Sequence, residues 1–321
     1  MRTMLVTGGA GFIGSHLVEA LVERGDRVRV LDNLSTGRMQ HLDAVRDRIE
    51  FLAGDITDPA AVDRAVAGVD CVFHQAALAS VPLSIEHPER THAVCASGTL
   101  NVLDRARRAG VRRLVYAASS SAYGNQPTAA KRESDVLAPI SPYGAAKLAG
   151  ELYCQAFTAA YGFETVALRY FNVFGPRQAP DSPYSAVIPL FFAALLAGHP
   201  PTIYGDGGQS RDFVYVGNVA QANLLAAEAI PAVGKVINVG TGSATTLLEL
   251  LTNLNELLAT DVKPMFEPAR AGDVRESMAD LNQSRTLLGF EPQIGLADGL
   301  SRSVGYYREL IAGARKAHAP R

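Results

Sequence analysis

A chain of 321 residues that is 48% apolar and 19% charged has the material for one large or two modest cores and reads as a folded globular protein. Its net charge of −2 gives no electrostatic reason to expect a nucleic acid or a membrane surface as partner, and no apolar run reaches the roughly 18 residues of a membrane span. Three cysteines, Cys71, Cys95 and Cys154, stand at spacings that suit neither a disulfide framework nor a zinc site, so they read as small core residues of a protein kept in a reducing compartment.

The N-terminal residues lead straight into a glycine turn rather than an apolar secretory stretch, which adds to the expectation of a cytoplasmic location. From residue 3 to about 170 short β-branched or apolar runs (4–7, 27–31, 49–53, 71–74, 113–117 and 165–168) alternate with segments of helical spacing (11–25, 59–68, 86–109 and 143–161). That alternation predicts an α/β protein: a Rossmann-type, doubly wound parallel sheet. Pro59 just inside a start, and Gly68 and Gly110 just past an end, are the expected punctuation.

The first strand runs into "VTGGAGFIGSHL", where Gly9, Gly11 and Gly14 spell G-x-G-x-x-G and Gly8, Gly11 and Gly14 also satisfy G-x-x-G-x-x-G. Glycine is needed there because a pyrophosphate must approach the helix N-terminus with no Cβ in the way. Asp32 ends the next strand about 20 residues on, placed to bind a ribose 2′-hydroxyl and repel a 2′-phosphate, which favours NAD over NADP. "AGDITD" then puts Asp55 at a strand end within reach of an adenine amino group, and "FHQAAL" ends its strand in small residues that let a cofactor lie across it. His74 reads as a core residue; no second histidine stands at ligand spacing, so no metal is assigned.

The basic run "RARRAGVRR" (105–113) reads as the solvated C-terminal end of a helix, where cations complement the macrodipole. "YAASSSAYG" (116–124) follows a strand whose C-terminal end is a ligand-binding position, and its three serines offer hydroxyls to pass or share a proton. In "SPYGAAK" Tyr143 and Lys147 lie four apart at a helix start and so project from one face; the chain has only five lysines. A phenol is a poor base at neutral pH. Lowering its pKa of about 10 by roughly 3 units takes about 4 kcal/mol, which an adjacent ammonium and a positive nicotinamide ring would supply. Beyond Pro176 proline and glycine increase and elements shorten, so two lobes are expected: 1–176 for the cofactor and a smaller 177–321 for the substrate, with the chain crossing between them.

Together these stretches resemble the extended short-chain dehydrogenase/reductase family, and within it the NAD-dependent UDP-hexose 4-epimerases. The resemblance covers nearly the whole chain. It implies that Ser119, four residues before the Tyr123 of a "YG" pair, is catalytic with Tyr143 and Lys147. It further implies NAD contacts from Gly8, Gly11, Phe12, Ile13, Gly14, Asp32, Asn33, Asp55, Ile56, Gln75, Ala76, Ala77, Tyr143, Lys147, Tyr170 and Val173. "RYFNVFGPRQ" would bring Tyr170 and Val173 near the nicotinamide and Asn172 to the sugar diphosphate. "IYGDGGQSRDFVYV" would set Tyr204 near the uracil and Arg211 on a phosphate, and "RAGDVRESMAD" would contribute Arg270 and Asp273 to the pyrophosphate and uridine ribose. Ser80, Val81, Ser120, Ser121, Val187 and Ser277 complete the implied UDP-sugar site.

Related dehydratases carry Asp-Glu after the catalytic Thr, and the UDP-glucuronate decarboxylases keep a glutamate there. Here Ser120 and Ser121 replace them, which favours epimerisation. "AALASVPLS" resembles the bacterial epimerases that accept UDP-N-acetylglucosamine, and the small Ser277 leaves room for an N-acetyl group. Cys95 stands in "CASGT" where the family usually has Asn. The expected activity is 4-epimerisation of a UDP-hexose through a 4-keto intermediate, by a homodimer formed through helices 86–109 and 141–161. The alternatives are a UDP-glucuronate 4-epimerase, another NAD-dependent nucleotide-sugar oxidoreductase or dehydratase, and a non-catalytic dinucleotide sensor.

Overall fold

The apolar runs become parallel strands because each is buried on both faces, the pattern that separates a covered parallel sheet from a half-solvated one. The computed structural model describes residues 2–128, 130–180, 185–269 and 274–317. Its first part runs β1 (Thr3–Thr7), α1 (Phe12–Glu23), β2 (Arg27–Asp32), a 3₁₀ stretch (Met39–Arg48), β3 (Ile49–Ala53), α2 (Pro59–Val66) and β4 (Cys71–His74). Three short helices follow, α3 (Val81–Glu86), α4 (Pro88–His92) and α5 (Thr99–Arg108), then β5 (Arg113–Ser119), β6 (Ala130–Lys131), α6 (Pro142–Tyr161), β7 (Glu164–Tyr170) and β8 (Asn172–Phe174). The second part comprises α7 (Val187–Ala197), β9 (Thr202–Tyr204), β10 (Ser210–Arg211), β11 (Phe213–Tyr215), α8 (Val216–Ala226) and β12 (Val236–Val239). It continues through β13 (Thr245–Thr246), α9 (Leu247–Leu258), β14 (Met265–Glu267), β15 (Glu276–Ala279) and α10 (Leu296–Ala317).

Among the described residues the main sheet has seven strands in the order β12-β7-β5-β4-β1-β2-β3, all parallel. This is the doubly wound architecture expected from the alternation. Successive residues of a strand face opposite sides, so Val6 and Val115 join the core under α1 and α8, while Leu5, Leu114 and Tyr116 join the core under α2, α5 and α6. A third core, built on Phe191, Phe192, Leu250 and Tyr307, belongs to the second part. β12 and α8 return from that part to the main sheet and its α1 face.

Two local expectations are corrected. The long 86–109 helix starts two residues late: α3 stops at Glu86, Pro88 opens α4, and from there the backbone stays helical to Arg108, with a π-helical stretch at Ala93–Gly98 between α4 and α5. A proline has no N–H to continue the ladder, so the break was present in the sequence. The basic run is solvated only in part. Arg105, Arg107 and Arg108 pair with Asp63 and Asp104, but Arg113 is wholly buried, bound to Glu164 and to the carbonyls of Ala226 and Ala229.

Candidate active site

β1 pairs with β2 on one side and β4 on the other, so the strand order reverses there and the loops leaving β1 and β4 diverge around a crevice. Gly8 has φ +69°, and a Cβ on it would lie 2.7 Å from the Ala76 Cα, so the glycine turn and the segment of Gln75, Ala76 and Ala77 meet across that crevice. Gly11 caps α1 in an extended conformation with no side-chain cap, which leaves the first N–H groups of the helix to an anion. A methyl on Gly14 would overlap the Gly8 carbonyl oxygen. Phe12 and Ile13 pack towards the third core. The turn thus has the bare backbone a pyrophosphate needs, and these residues fit NAD.

Asp32 is buried at the end of β2, where its carboxylate accepts the N–H groups of Ala10 (2.9 Å) and Leu34 (2.8 Å). Burial raises its pKa. Asn33 donates to Asp55 at 2.6 Å, and the other oxygen of Asp55 accepts from the Thr57 backbone and hydroxyl, while Ile56 is packed beneath Gly98. These groups brace the rim of the crevice as well as facing it.

Ser141 caps α6 by accepting the Gly144 N–H at 3.1 Å, and Pro142 fills the first helical position, so Tyr143 and Lys147 share a face over the first two turns. Tyr143 packs with Ala77, Leu78, Cys95 and Ala146. Ser119, the last residue of β5, accepts the Ser121 N–H at 3.2 Å and its hydroxyl lies 3.1 Å from that of Ser121. Burial pushes the Tyr143 phenol up, the Cys95 thiol adds to this, and a hydrogen bond with Ser119 pulls the other way. The expected acidification, from an adjacent ammonium together with a positive nicotinamide ring, is thus not supplied by the chain alone. Within this chain Tyr143 is protonated at neutral pH, because the desolvation of an anion there outweighs the help the protein gives it. Lys147 is 3% exposed, its ammonium held 4.4 Å from the centre of the Tyr116 ring, and burial lowers its pKa.

Tyr170 is buried, its hydroxyl in a knot with Gln75 and with Asn223 of α8 at 2.7–3.3 Å, and burial pushes it up to about 12. Val173 and Val187 pack into the third core, and Asn172 begins β8, donating its N–H to the Asp212 carbonyl. Ser80 caps α3, leaving Val81 exposed, and Ser120 opens the turn that follows Ser119. Tyr204 closes β9, and Arg211 of β10 stands opposite Ser277 of β15. Arg270 and Asp273 lie outside the described residues.

Sequence reasoning missed three supports of the site. Asp212 is wholly buried between Arg211 and β11, and its two oxygens accept four backbone or hydroxyl donors from Thr241, Gly242 and Ala279, tying β10, β15 and the loop after β12 together. Asn223 carried no distinguishing signal, because α8 also holds Asn218 and Gln221. Tyr116 gave no signal, since an aromatic residue in a buried strand is unremarkable by pattern. His74 is the core residue expected, with a defined tautomer. Thr99 donates to the Cys95 carbonyl (2.7 Å), so it accepts from His74 Nε2–H (3.0 Å), and Nδ1 accepts from Thr7 (2.7 Å). Among the described residues no group of three or more His, Cys, Asp or Glu could hold a metal, and no helix is long and apolar enough to cross a membrane.

The sequence profile of the NAD dependent epimerase/dehydratase family matches residues 4–240. The UDP-glucose 4-epimerase of Mycolicibacterium smegmatis is 39% identical over 96% of this chain and 99% of its own length. The structure of UDP-N-acetylglucosamine 4-epimerase from Methanobrevibacter ruminantium in complex with UDP-N-acetylmuramic acid superposes with a TM-score of 0.92 at 38% identity, covering 96% and 99% of the two chains. That of the Thermus thermophilus UDP-glucose 4-epimerase complex with NAD gives 0.86 at 38% identity, covering 96% and 99%.

Proposed function

The chain belongs to the NAD dependent epimerase/dehydratase family, and from that membership we propose that it interconverts a UDP-hexose and its 4-epimer with NAD as its resident cofactor. The observation that carries the reading is the hydrogen bond between Ser119 of β5 and Tyr143 of α6, with Tyr143 packed on Ala77 and Leu78 beyond β4 and Lys147 one turn further along the same helix. NAD⁺, when bound, would be held by Gly8, Gly11 and Gly14 at the start of α1 and by Asp32, and would supply a reversible hydride acceptor for C4 of the sugar.

The chain's own groups handle the proton. Tyr143 Oη takes it from the 4-hydroxyl with Ser119 Oγ as its hydrogen-bonding partner, and Ser121 orients Ser119. Burial leaves the phenol short of acidity, so the charge of Lys147 and that of the cofactor must together supply the difference at the moment of transfer. Ser120 and Ser121 offer no carboxylate for eliminating water, which argues against a dehydratase. The nucleotide anchors the substrate while the hexose turns about its diphosphate link. We assign Asn172, Tyr204 and Arg211 to that anchor and Ser80, Val81 and Ser277 to the sugar.

The division into a cofactor part, 1–176, and a substrate part, 177–321, belongs to the same proposal, with α8 and β12 as the return crossing. So do a cytoplasmic location, supported by three buried free thiols, and a homodimer, supported by exposed Leu152, Tyr153 and Tyr161 along α6. The test is incubation with UDP-glucose, UDP-N-acetylglucosamine and UDP-glucuronate in separate assays without added reductant, with product sugars identified. A 4-epimer in at least one is expected; none in any overturns the reading.

A further inference from the structure

The ammonium of Lys147 is buried in a shell without an opposing carboxylate among the described residues. The titratable groups that face it are the Cys95 thiol from the π-helical stretch, the Cys154 thiol from α6, His74 from β4 and Tyr116 from β5, while Tyr143 stands one turn earlier on the same helix. Glu151, one turn further along α6, is bound bidentately to Arg169. His74 is neutral, held so by burial and the nearby Lys147 charge. What faces the cation at close range is the Tyr116 ring, 4.4 Å from Nζ to the ring centre.

That ring is fixed on every side. Tyr116 has no exposed surface; its hydroxyl donates to the carbonyl of Lys147 itself at 3.2 Å, and its ring lies 5.7 Å from that of His74. A methyl on Gly150 would overlap the Tyr116 hydroxyl, so α6 closes on the tyrosine only because that position is glycine. The period of two along β5 sends Leu114, Tyr116 and Ala118 to the α6 side, which is why the ring lies under the lysine.

We infer that Tyr116 is a positioning residue of the proposed epimerisation, whose ring face keeps the buried Lys147 ammonium charged and aimed while cancelling none of its positive field. A carboxylate in that place would neutralise the charge on which the Tyr143 phenolate depends, whereas an aromatic quadrupole stabilises a cation without adding net negative charge. The role rests on the epimerase reading; the coupling between ring and ammonium can be measured without it.

With only five lysines in the chain, lysine labelled with ¹³C at Cε gives few NMR signals, and Lys147→Arg assigns the one of interest. In the Tyr116→Leu protein the Lys147 titration midpoint is expected to fall by roughly 0.5–1.5 pH units. The basic limb of kcat should move with it while KM for the UDP-sugar holds. Tyr116→Phe, which keeps the ring, should retain the midpoint. Should Tyr116→Leu fail to fold, mono-, di- and trifluorophenylalanine at position 116 test the same point at nearly constant shape: the midpoint should fall stepwise with fluorine count. An unmoved midpoint in folded Tyr116→Leu or across the fluorinated series overturns the inference, as does a Tyr116→Phe shift equal to that of Tyr116→Leu. If wild type epimerises no sugar, the functional reading falls, and the titration still decides whether the ring holds the ammonium.

Discussion

Arg169 of β7 and Glu151 of α6 form a bidentate ion pair inside the protein, Nε to Oε2 at 2.8 Å and Nη2 to Oε1 at 2.6 Å, with both side chains 2% exposed. The pair bolts the helix that carries Tyr143 and Lys147 to the sheet, and the guanidinium also lies 4.7 Å from the Tyr123 ring. Glu151→Gln leaves a buried guanidinium without its counter-charge, so a loss of about 3–5 kcal/mol in chemical denaturation is expected. A loss under about 1 kcal/mol would mean that the pair is dispensable.

Removing the phenol should separate chemistry from binding. Tyr143→Phe keeps the ring in its apolar cluster but deletes the hydroxyl proposed to carry the proton, so kcat is expected to drop about 10²–10⁴-fold with NAD still co-eluting on gel filtration. Ser119→Ala should lose less, because Tyr143 can still meet the sugar hydroxyl directly. Full activity in Tyr143→Phe would exclude it as the base.

Acid should destabilise the fold through buried histidine. Burial lowers His74 to about 3 and His16 to about 4, from 6.5 in an unfolded chain. Between those limits the unfolded chain binds more protons, so stability is full above pH ~6.5 and is lost as pH falls. At about pH 5 the loss for His74 is about 2 kcal/mol, with a smaller share from the partly exposed His16. Urea denaturation at about pH 7.5 and about pH 5 measures it, and His74→Gln should flatten the slope.

Gly8→Ala tests the cofactor crevice. The position has φ +69° and a Cβ there would lie 2.7 Å from the Ala76 backbone, so the cost is about 1–2 kcal/mol in conformation alone. Loss of bound NAD after gel filtration is expected; a variant retaining its full complement of NAD would show that the turn does not line the site.

Ser277→Tyr addresses substrate choice. A bulky ring at this β15 position, beside Arg211, should cut kcat/KM for UDP-N-acetylglucosamine about tenfold or more while UDP-glucose is still turned over. Equal loss for both sugars would place Ser277 away from the acetamido group.

Several elements were readable because their signals are local. The runs 49–53 and 71–74 became β3 and β4 at the same residues, and the helix start at Tyr143 lies one residue inside α6, whose Ser141 cap and Pro142 stand together in the sequence. Strand ends were read short, as with β5 and β7, because sheet pairing carries a strand past its apolar run: Ser119 pairs with Tyr170 although neither belongs to an expected strand.

By itself the sequence determined the alternation of strands and helices, the bare glycine turn with Asp32 beyond it, and Tyr143 and Lys147 on one helix face. Those features depend on side-chain period and on dihedral preferences of neighbouring residues. Only the tertiary structure decided that Lys147 rests on Tyr116, that Arg169 holds α6, that Asp212 ties β10, β15 and the loop after β12 together, and that β12 returns to complete the sheet. Each of these joins residues 18 to 69 positions apart, Glu151 to Arg169 at one end and β7 to β12 at the other. Burial of both faces of a parallel sheet selects those partners, and no local pattern encodes them.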